Sequence, residues 1–316
     1  MATPPVKAID ARGAALAVLL SVFWGANPVA IKIGLEDAPP IRLAWMRFLV
    51  GGAVILVWGW TTGRFRGFRI EPNEWRPLLV VGLLFTAQIG SMNIATGLTS
   101  AAHATVLLNL YAVHTVVLAH FMIPGDRLTP RHVVGVLIAY GGIVLLFRGQ
   151  IGAGTSTLLG DLLMIGSSLI LAERTVYLAR AVHHLDGLKL LLAQVVMGTV
   201  PFLIVSSLFE PEPTRWTWRL TASIAFQGVV IAGFNFVVNL WLLARYRPSV
   251  LATFFLTQPI FGVVTAGLVT GDPLTADVLL ASVAVAAGIG LTIKARAPGL
   301  RHARAGDDCN RDGPQP

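Results

Sequence analysis

A chain of 316 residues that is 55% hydrophobic and 13% charged, with a mean hydropathy of +0.72, carries about half the charge of an ordinary soluble domain, which runs near 25%. That composition excludes the soluble enzyme classes and places the chain among multi-pass membrane proteins. The formal charge of +8 is no nucleic-acid footprint, because the basic residues gather between apolar runs, and the single cysteine, Cys309 in a polar tail, excludes a disulfide framework or a Cys metal site.

A bilayer crossing needs roughly 20 apolar residues at about 1.5 Å each. Ten such segments follow one another, at 13–34, 41–61, 76–97, 100–122, 131–148, 158–181, 186–209, 220–245, 249–270 and 274–294. The first holds Trp24, Asn27, Pro28 and Lys32. Pro28 lacks an N–H and crowds the preceding turn, so it frees the carbonyl of Trp24 and kinks the helix. Backbone freed at membrane depth is tolerated inside protein or against a wet cavity, so this segment reads as cavity-lining. The plainer alternative is a kinked helix with Asn27 satisfied and Lys32 snorkelling to the interface.

Breaks fall at Pro39-Pro40, at the Arg-rich stretch 62–77, at Gly125-Asp126, at 149–157, at 183–187, at 210–217, at 245–248 and at Gly271 to Pro273. No linker has the length of a soluble domain. The chain divides into an N-terminus, 1–12, a first five-span unit, 13–148, a second, 158–296, and a disordered polar tail, 297–316. Placing the N-terminus in the cytoplasm puts Lys7, Arg12, Arg64, Arg66, Arg69, Arg76, Arg127, Arg131, Arg180, Lys189, Arg245 and the tail arginines inside. It leaves Arg42, Arg148, Arg215 and Arg219 outside. That asymmetry fixes orientation and supports an even number of spans.

The two units repeat. Gly125-Asp126-Arg127-Leu128-Thr129 is echoed by Gly271-Asp272-Pro273-Leu274-Thr275, and at the same offset Gly142-Ile143-Val144-Leu145 by Gly288-Ile289-Gly290-Leu291. Five spans is an odd number, so the second unit enters the membrane from the opposite face. Inverted repeats of this kind are found in secondary transporters, with the site near the midplane between the halves.

Trp24-Gly25-Ala26-Asn27 with Lys32, Arg47-Phe48 in the second span, the two Gly-Asp-x-Leu-Thr loops and the Gly-rich fifth and tenth spans together resemble the EamA family of the drug/metabolite transporter superfamily, over about residues 13–296. The resemblance implies ten helices around a central cavity and both termini cytoplasmic. It also implies gradient-driven transport of small metabolites without ATP, often the export of amino acids. Two departures stand out. Members often carry a proline in the fourth span to match Pro259, where this chain has Asn109-Leu110-Tyr111, and a glutamate where Asp126 and Asp272 stand. The first departure implies a straighter fourth span.

Ionisable groups inside spans are functional candidates. Arg47 lies about two turns into its span, too deep to snorkel, and is either an anchor for a substrate carboxylate or a structural tie. Glu173, beside Arg174, is the carboxylate well inside a span and so the candidate for proton coupling. The alternative is an ion pair holding two helices together. Neighbours on a helix point about 100° apart, so Glu173 and Arg174 do not face each other. His114 is either a proton relay or a hydrogen-bonded interior histidine. The spacing of His103, His114 and His120 does not make a metal site.

Amides recur at Asn27, Gln88, Asn93, Asn109, Gln194, Asn235, Asn239 and Gln258, as cavity lining or as glue between helices. Trp24 and Tyr111 are the mid-span aromatics placed to receive an apolar moiety, and Pro259, after Gln258, is a second candidate hinge beside Pro28. Small residues at Gly135, Ala139, Gly142, Ala284 and Gly288 suit close helix packing between the halves or a dimer face. No phosphate-binding Gly-x-x-x-x-Gly-Lys, no His-Glu-x-x-His and no Gly-x-Ser-x-Gly occurs, so the chain carries no nucleotide engine and no hydrolase signature.

The expectation is an all-α membrane protein of ten transmembrane helices, two inverted five-helix repeats around a central cavity. It is a multi-pass protein of the bacterial inner membrane, monomer or homodimer, with no cofactor and no metal, its partners a small-molecule substrate and the lipid bilayer. The expected activity is secondary transport of amino acids or related carboxylate-bearing metabolites, as an exporter. The cavity set is Trp24, Asn27, Lys32, Arg47, Asn93, Asn109, Tyr111, Asn235, Asn239 and Gln258. Export of cationic drugs, which would need an acid-rich cavity, and a membrane enzyme acting on lipid-linked substrates are the alternatives.

Overall fold

The computed structural model describes residues 9–122, 128–148, 155–182, 184–243, 245–246, 251 and 254–294. The tail, residues 1–8, the first Gly-Asp loop at 125–127 and the loop at 149–154 lie outside them. The described residues are helical, with no strand among them. The helices are α1 (Ala11–Gly34), α2 (Pro40–Thr61), α3 (Trp75–Leu98), α4 (Ala101–Leu108), α5 (Tyr111–Met122), α6 (Pro130–Arg148), α7 (Thr155–Ala181), α8 (Gly187–Phe209), α9 (Trp218–Ala225), a π-helix π1 (Phe226–Asn235), α10 (Phe236–Leu243), α11 (Gln258–Val269) and α12 (Ala276–Lys294).

Seven helical stretches among the described residues are long and apolar enough to cross a bilayer, α4–α5 and α9–π1–α10 each counting as one. The longest helix, α7 with 27 residues, is not among the seven; it carries Asp161, Glu173 and Arg174. Helix starts follow local chemistry. Asp10, Ser100, Asp186 and Thr217 each accept a hydrogen bond from a backbone N–H of the following first turn, which satisfies donors the helix itself cannot use.

The most extensive helix pairings join one sequence half to the other: α6 with α12, α3 with α7 and α8, α2 with α8 and π1, and α1 with α11. The small residues on α6 and α12 serve this internal packing. A Cβ on Gly135 would lie 2.6 Å from the carbonyl oxygen of Gly288, and one on Gly142 2.7 Å from the Cβ of Ala284. Contact at that range needs hydrogen in place of a side chain. The outer surface is apolar, with Trp60, Trp75, Trp216 and Trp218 exposed near helix ends, as an interfacial aromatic belt requires.

Two loop faces close the bundle. On the face where α1 ends, Glu210 accepts from the N–H groups of Ile41 and Arg42 at 2.8 and 2.7 Å, and so caps α2 with a carboxylate where the helix dipole favours one. The Arg42 guanidinium bonds the carbonyls of Glu210 and Glu212. Arg215 pairs with Asp37 and Arg219 with Glu36. Asp272, after the positive-φ Gly271, accepts from the N–H of Ala102 at 2.9 Å. The second Gly-Asp loop therefore caps α4 of the other half.

On the opposite face Lys189 donates to both carboxylate oxygens of Glu74 at 2.8 and 2.7 Å. The Lys189 ammonium, and after it the N–H of Glu71, holds the Glu74 carboxyl below its usual range. A depressed carboxyl stabilises the fold above its unfolded pKa, about 4.3, and that contribution is lost as pH falls through the folded value. Thermal melting in detergent from pH 7 to pH 3 is therefore expected to lose stability more steeply at the acid end for the wild type than for Lys189→Met. Parallel curves would show that the pair contributes nothing.

Candidate functional site

Arg47 lies in the second turn of α2 and is 3% exposed. Its guanidinium sits over the ring of Phe48, 4.7 Å from the centroid, and donates from Nη1 to Gln227 Oε1 at 2.9 Å. Gln227 belongs to π1, and its amide donates in turn to Ser223 Oγ at 2.8 Å and to the carbonyl of Ala30 on α1. The π-helix is what sets this register. Gly228 and Gly233 let α2 close on π1, since a Cβ on Gly228 would lie 2.6 Å from Val50 and one on Gly233 2.6 Å from Val54. π segments recur at functional sites. The Nε of Arg47 is buried without a hydrogen-bond partner.

Arg174 approaches from α7. Its guanidinium stands 5.0 Å from the centroid of Phe85, and Phe85 meets Phe48 edge-to-face at 4.8 Å. Its Nε and Nη1 are buried without a partner, and its charge acts on the Tyr111 hydroxyl. Tyr111 in turn neighbours Gln258. The buried guanidinium of Arg47 and the half-buried one of Arg174 thus each lie over one ring of a single aromatic pair. The ion pairs among the described residues join other groups: Arg64–Asp186, His103–Asp161, Lys189–Glu74, Arg215–Asp37 and Arg219–Glu36. Further buried polar atoms without a partner lie on neighbouring helices: Asn27 Oδ1, Asn93 Oδ1, Asn235 Oδ1 and Gln258 Nε2. Buried polar atoms are nearly always satisfied, by protein or by ordered water, so these atoms have hydrogen-bonding capacity that the protein itself does not fill.

The structure places the other expected residues as follows. Trp24 packs edge-on against Phe255, centroids 5.2 Å apart, and Asn239 is half-buried. Asn93 and Asn109 donate back to carbonyls of their own helices, those of Ile89 and Thr105. His114 has both ring nitrogens engaged, one with Tyr140 Oη and the other with Ser168 Oγ. That is the geometry of an interior histidine joining α5 to α6 and α7.

Four expectations need correction. Lys32 does not reach the interior set. Its Nζ donates to the carbonyls of Thr96, Gly97 and Thr99, at the C-terminal end of α3 where a helix dipole attracts a cation. There it lines an open pocket of about 630 Å³ with Glu36, Asp37, Glu210 and Arg215. Glu173 is exposed, in line with the exposed Leu162 and Leu169 at helical spacing. The 100° step that turns Arg174 inward turns Glu173 outward. The fourth span is not straight: it breaks between α4 and α5, where the Asn109 amide takes the Thr105 carbonyl and competes with the backbone ladder. Pro259 marks a break rather than a bend: it sits in the first turn of α11, where its missing N–H costs nothing, directly after a turn at 256–257 that follows helical residues 254–255. Pro28, by contrast, lies inside a continuous α1.

Sequence reasoning missed Gln227, the Phe48–Phe85 pair, the inward role of Arg174, and Asp161. That last carboxylate is fully buried and bonded by Thr99 Oγ1 and His103 Nδ1. The usable signals were a Gln-Gly pair at 227–228 and a Phe beside Arg47.

This arrangement has counterparts. A solved crystal structure superposes with a TM-score of 0.67 at 20% identity, covering 90% of this chain and 97% of its own, which establishes the shared fold. An uncharacterized transporter of Bacillus subtilis, YoaV, is 22% identical over 267 residues, 80% of this chain and 90% of the relative. A "Probable amino-acid metabolite efflux pump" of Escherichia coli is 24% identical over 290 residues, 88% and 93%. The uncharacterized inner membrane transporter YedA of Escherichia coli is 25% identical over 257 residues, 78% of each. The pattern of the EamA-like transporter family matches twice, at residues 11–148 and 158–294. With the repeat covered end to end by those two matches, the chain is a multi-pass membrane protein of the EamA-like transporter family.

Proposed function

We propose that the protein is a secondary transporter that exports amino acids or related carboxylate-bearing metabolites across the bacterial inner membrane by alternating access. The reading takes the two matched halves as inverted five-span units, ten spans in all, with both termini cytoplasmic, rocking about the interior that holds Arg47. The observation that carries it is the buried guanidinium of Arg47, with the half-buried one of Arg174 over the same ring pair, neither joined to a carboxylate in the ion pairs among the described residues. A buried charge left uncompensated is costly, and a substrate carboxylate, met by the planar fork of arginine, supplies the missing charge. The name of the Escherichia coli efflux relative supports the same substrate class. Export of organic cations needs an interior acid open to the substrate; Glu173 faces outward, and the buried Asp161 is bonded by Thr99 and His103. On this reading the Lys32 contacts and the Glu36–Asp37 clamp on Arg215 and Arg219 are the outer latch, which must part for release.

The test is counterflow in proteoliposomes of the full-length protein. Preloaded unlabelled amino acids should drive accumulation of their labelled counterparts, with no effect of ATP. Accumulation of labelled organic cations in place of carboxylates would overturn the proposal.

A further inference from the structure

We infer that the ligand of this site carries two anionic groups, one for Arg47 and one for Arg174. The inference rests on the carboxylate reading above and narrows it, among amino acids and related metabolites, to those that carry two anionic groups. Each guanidinium has five N–H donors and no acceptor. Arg47 spends Nη1 on Gln227 and keeps a buried Nε unpartnered; Arg174 keeps Nε and Nη1. Both cations are placed over ring faces, of Phe48 and Phe85. Cation–π contact offsets part of the desolvation and leaves in-plane N–H groups, Nε of Arg47 and Nε and Nη1 of Arg174, to donate to an anionic acceptor.

Charge accounting decides the ligand class. Glu173 is turned outward, and Asp161 is engaged by Thr99 and His103, so neither neutralises the pair. A zwitterion with one carboxylate balances one arginine and brings an ammonium group that both repel. A ligand with two anionic groups balances both. Each guanidinium lies over a different ring of the Phe48–Phe85 pair, whose centroids are 4.8 Å apart. Two anionic ends bound at two fixed arginines make affinity depend on the length of the spacer between them.

The experiment uses the full-length protein in detergent and reads apparent Kd from thermal shift. Two series are compared at matched ionic strength: dicarboxylates from succinate to suberate, and monocarboxylates of equal carbon number from butyrate to octanoate. The dicarboxylates are expected to bind at least about tenfold tighter at the best length, a difference of ~1.4 kcal/mol, with a clear length optimum. Arg174→Gln is expected to bring the two series to parity, and Arg174→Lys to keep part of the preference. Equal affinity of both series for the wild type would overturn the inference and leave the transport reading standing, and this comparison needs no variant. Binding by neither series would overturn the inference and leave amino-acid transport to the counterflow test, and stabilisation by organic cations instead would overturn both.

Discussion

Gly262→Val is expected to prevent the protein from accumulating in a folded state. A Cβ at 262 would stand 2.1 Å from Thr105 Cγ2 and 2.6 Å from the carbonyl oxygen of Gly25. The threonine methyl can rotate away, but the Gly25 carbonyl is backbone of α1 and cannot. The crossing is tight in both directions, since a Cβ on Gly25 would lie 2.7 Å from the carbonyl oxygen of Gln258. Three elements, α1, α4 and α11, therefore meet on two glycines, Gly25 two residues from Asn27 and Gly262 four residues from Gln258. Overpacking typically costs about 1–3 kcal/mol, and here the intruding branched carbons meet backbone on one side. That is a large share of a stability that totals only about 5–15 kcal/mol. The check is fluorescence-detected gel filtration, where Gly262→Val is expected to give no monodisperse peak. Gly166→Ala is the control, because nothing lies within 4 Å of a Cβ there. In a helix interior that change is expected to be neutral or to stabilise by up to roughly 0.5–1 kcal/mol. A monodisperse Gly262→Val variant melting with the wild type would show that α1 and α11 do not meet closely.

Which parts of this molecule could be read from its sequence follows from what the membrane makes visible. Helix existence is a matter of hydropathy and length, so the start of α2 after Pro39 and the end of α8 at Phe209 lay close to where composition placed them. The doubling of the chain was legible in the Gly-Asp-x-Leu-Thr echo. Helix rotation was not. In water a polar stripe shows which side of a helix faces out, but in lipid both the packed and the lipid-facing sides are apolar. Nothing in the run 158–181 says that Met164, Ser168 and Ala172 are buried while Leu162 and Leu169 are exposed. Glu173 and Arg174 thus had the right depth and an unassigned direction. The π register of 226–235 was hidden for a related reason. It is imposed by packing on α2 through Gly228 and Gly233, and helix periodicity over ten residues does not reveal it. The anchorage of Lys32 is hidden because Thr96, Gly97 and Thr99, whose carbonyls hold it, are far along the chain.

Arg47→Gln is expected to remove transport of carboxylate substrates while leaving the protein folded, and Gln227→Glu is the variant that tells binding from scaffolding. Loss of a charge-assisted hydrogen bond costs about 1.5–3 kcal/mol, which corresponds to roughly 10- to 150-fold in apparent affinity. By itself that loss is ambiguous, since Arg47 also ties α2 to π1 through Gln227. Gln227→Glu separates the two roles. It places a carboxylate where the Gln227 oxygen now accepts from Arg47 at 2.9 Å, so the arginine gains a permanent counter-charge and the tie is strengthened. If Arg47 serves only to hold the helices together, the variant transports as well as the wild type. If its positive charge is reserved for substrate, the internal carboxylate competes and transport falls as far as in Arg47→Gln. The melting temperature is then expected to stay close to that of the wild type, because the new pairing of a buried cation offsets the loss of the hydrogen bonds that the Gln227 amide donates to Ser223 and to the Ala30 carbonyl. The readout is initial uptake rate in proteoliposomes alongside melting in detergent. Transport lost without stability is the signature expected of a charge kept unpaired for a ligand.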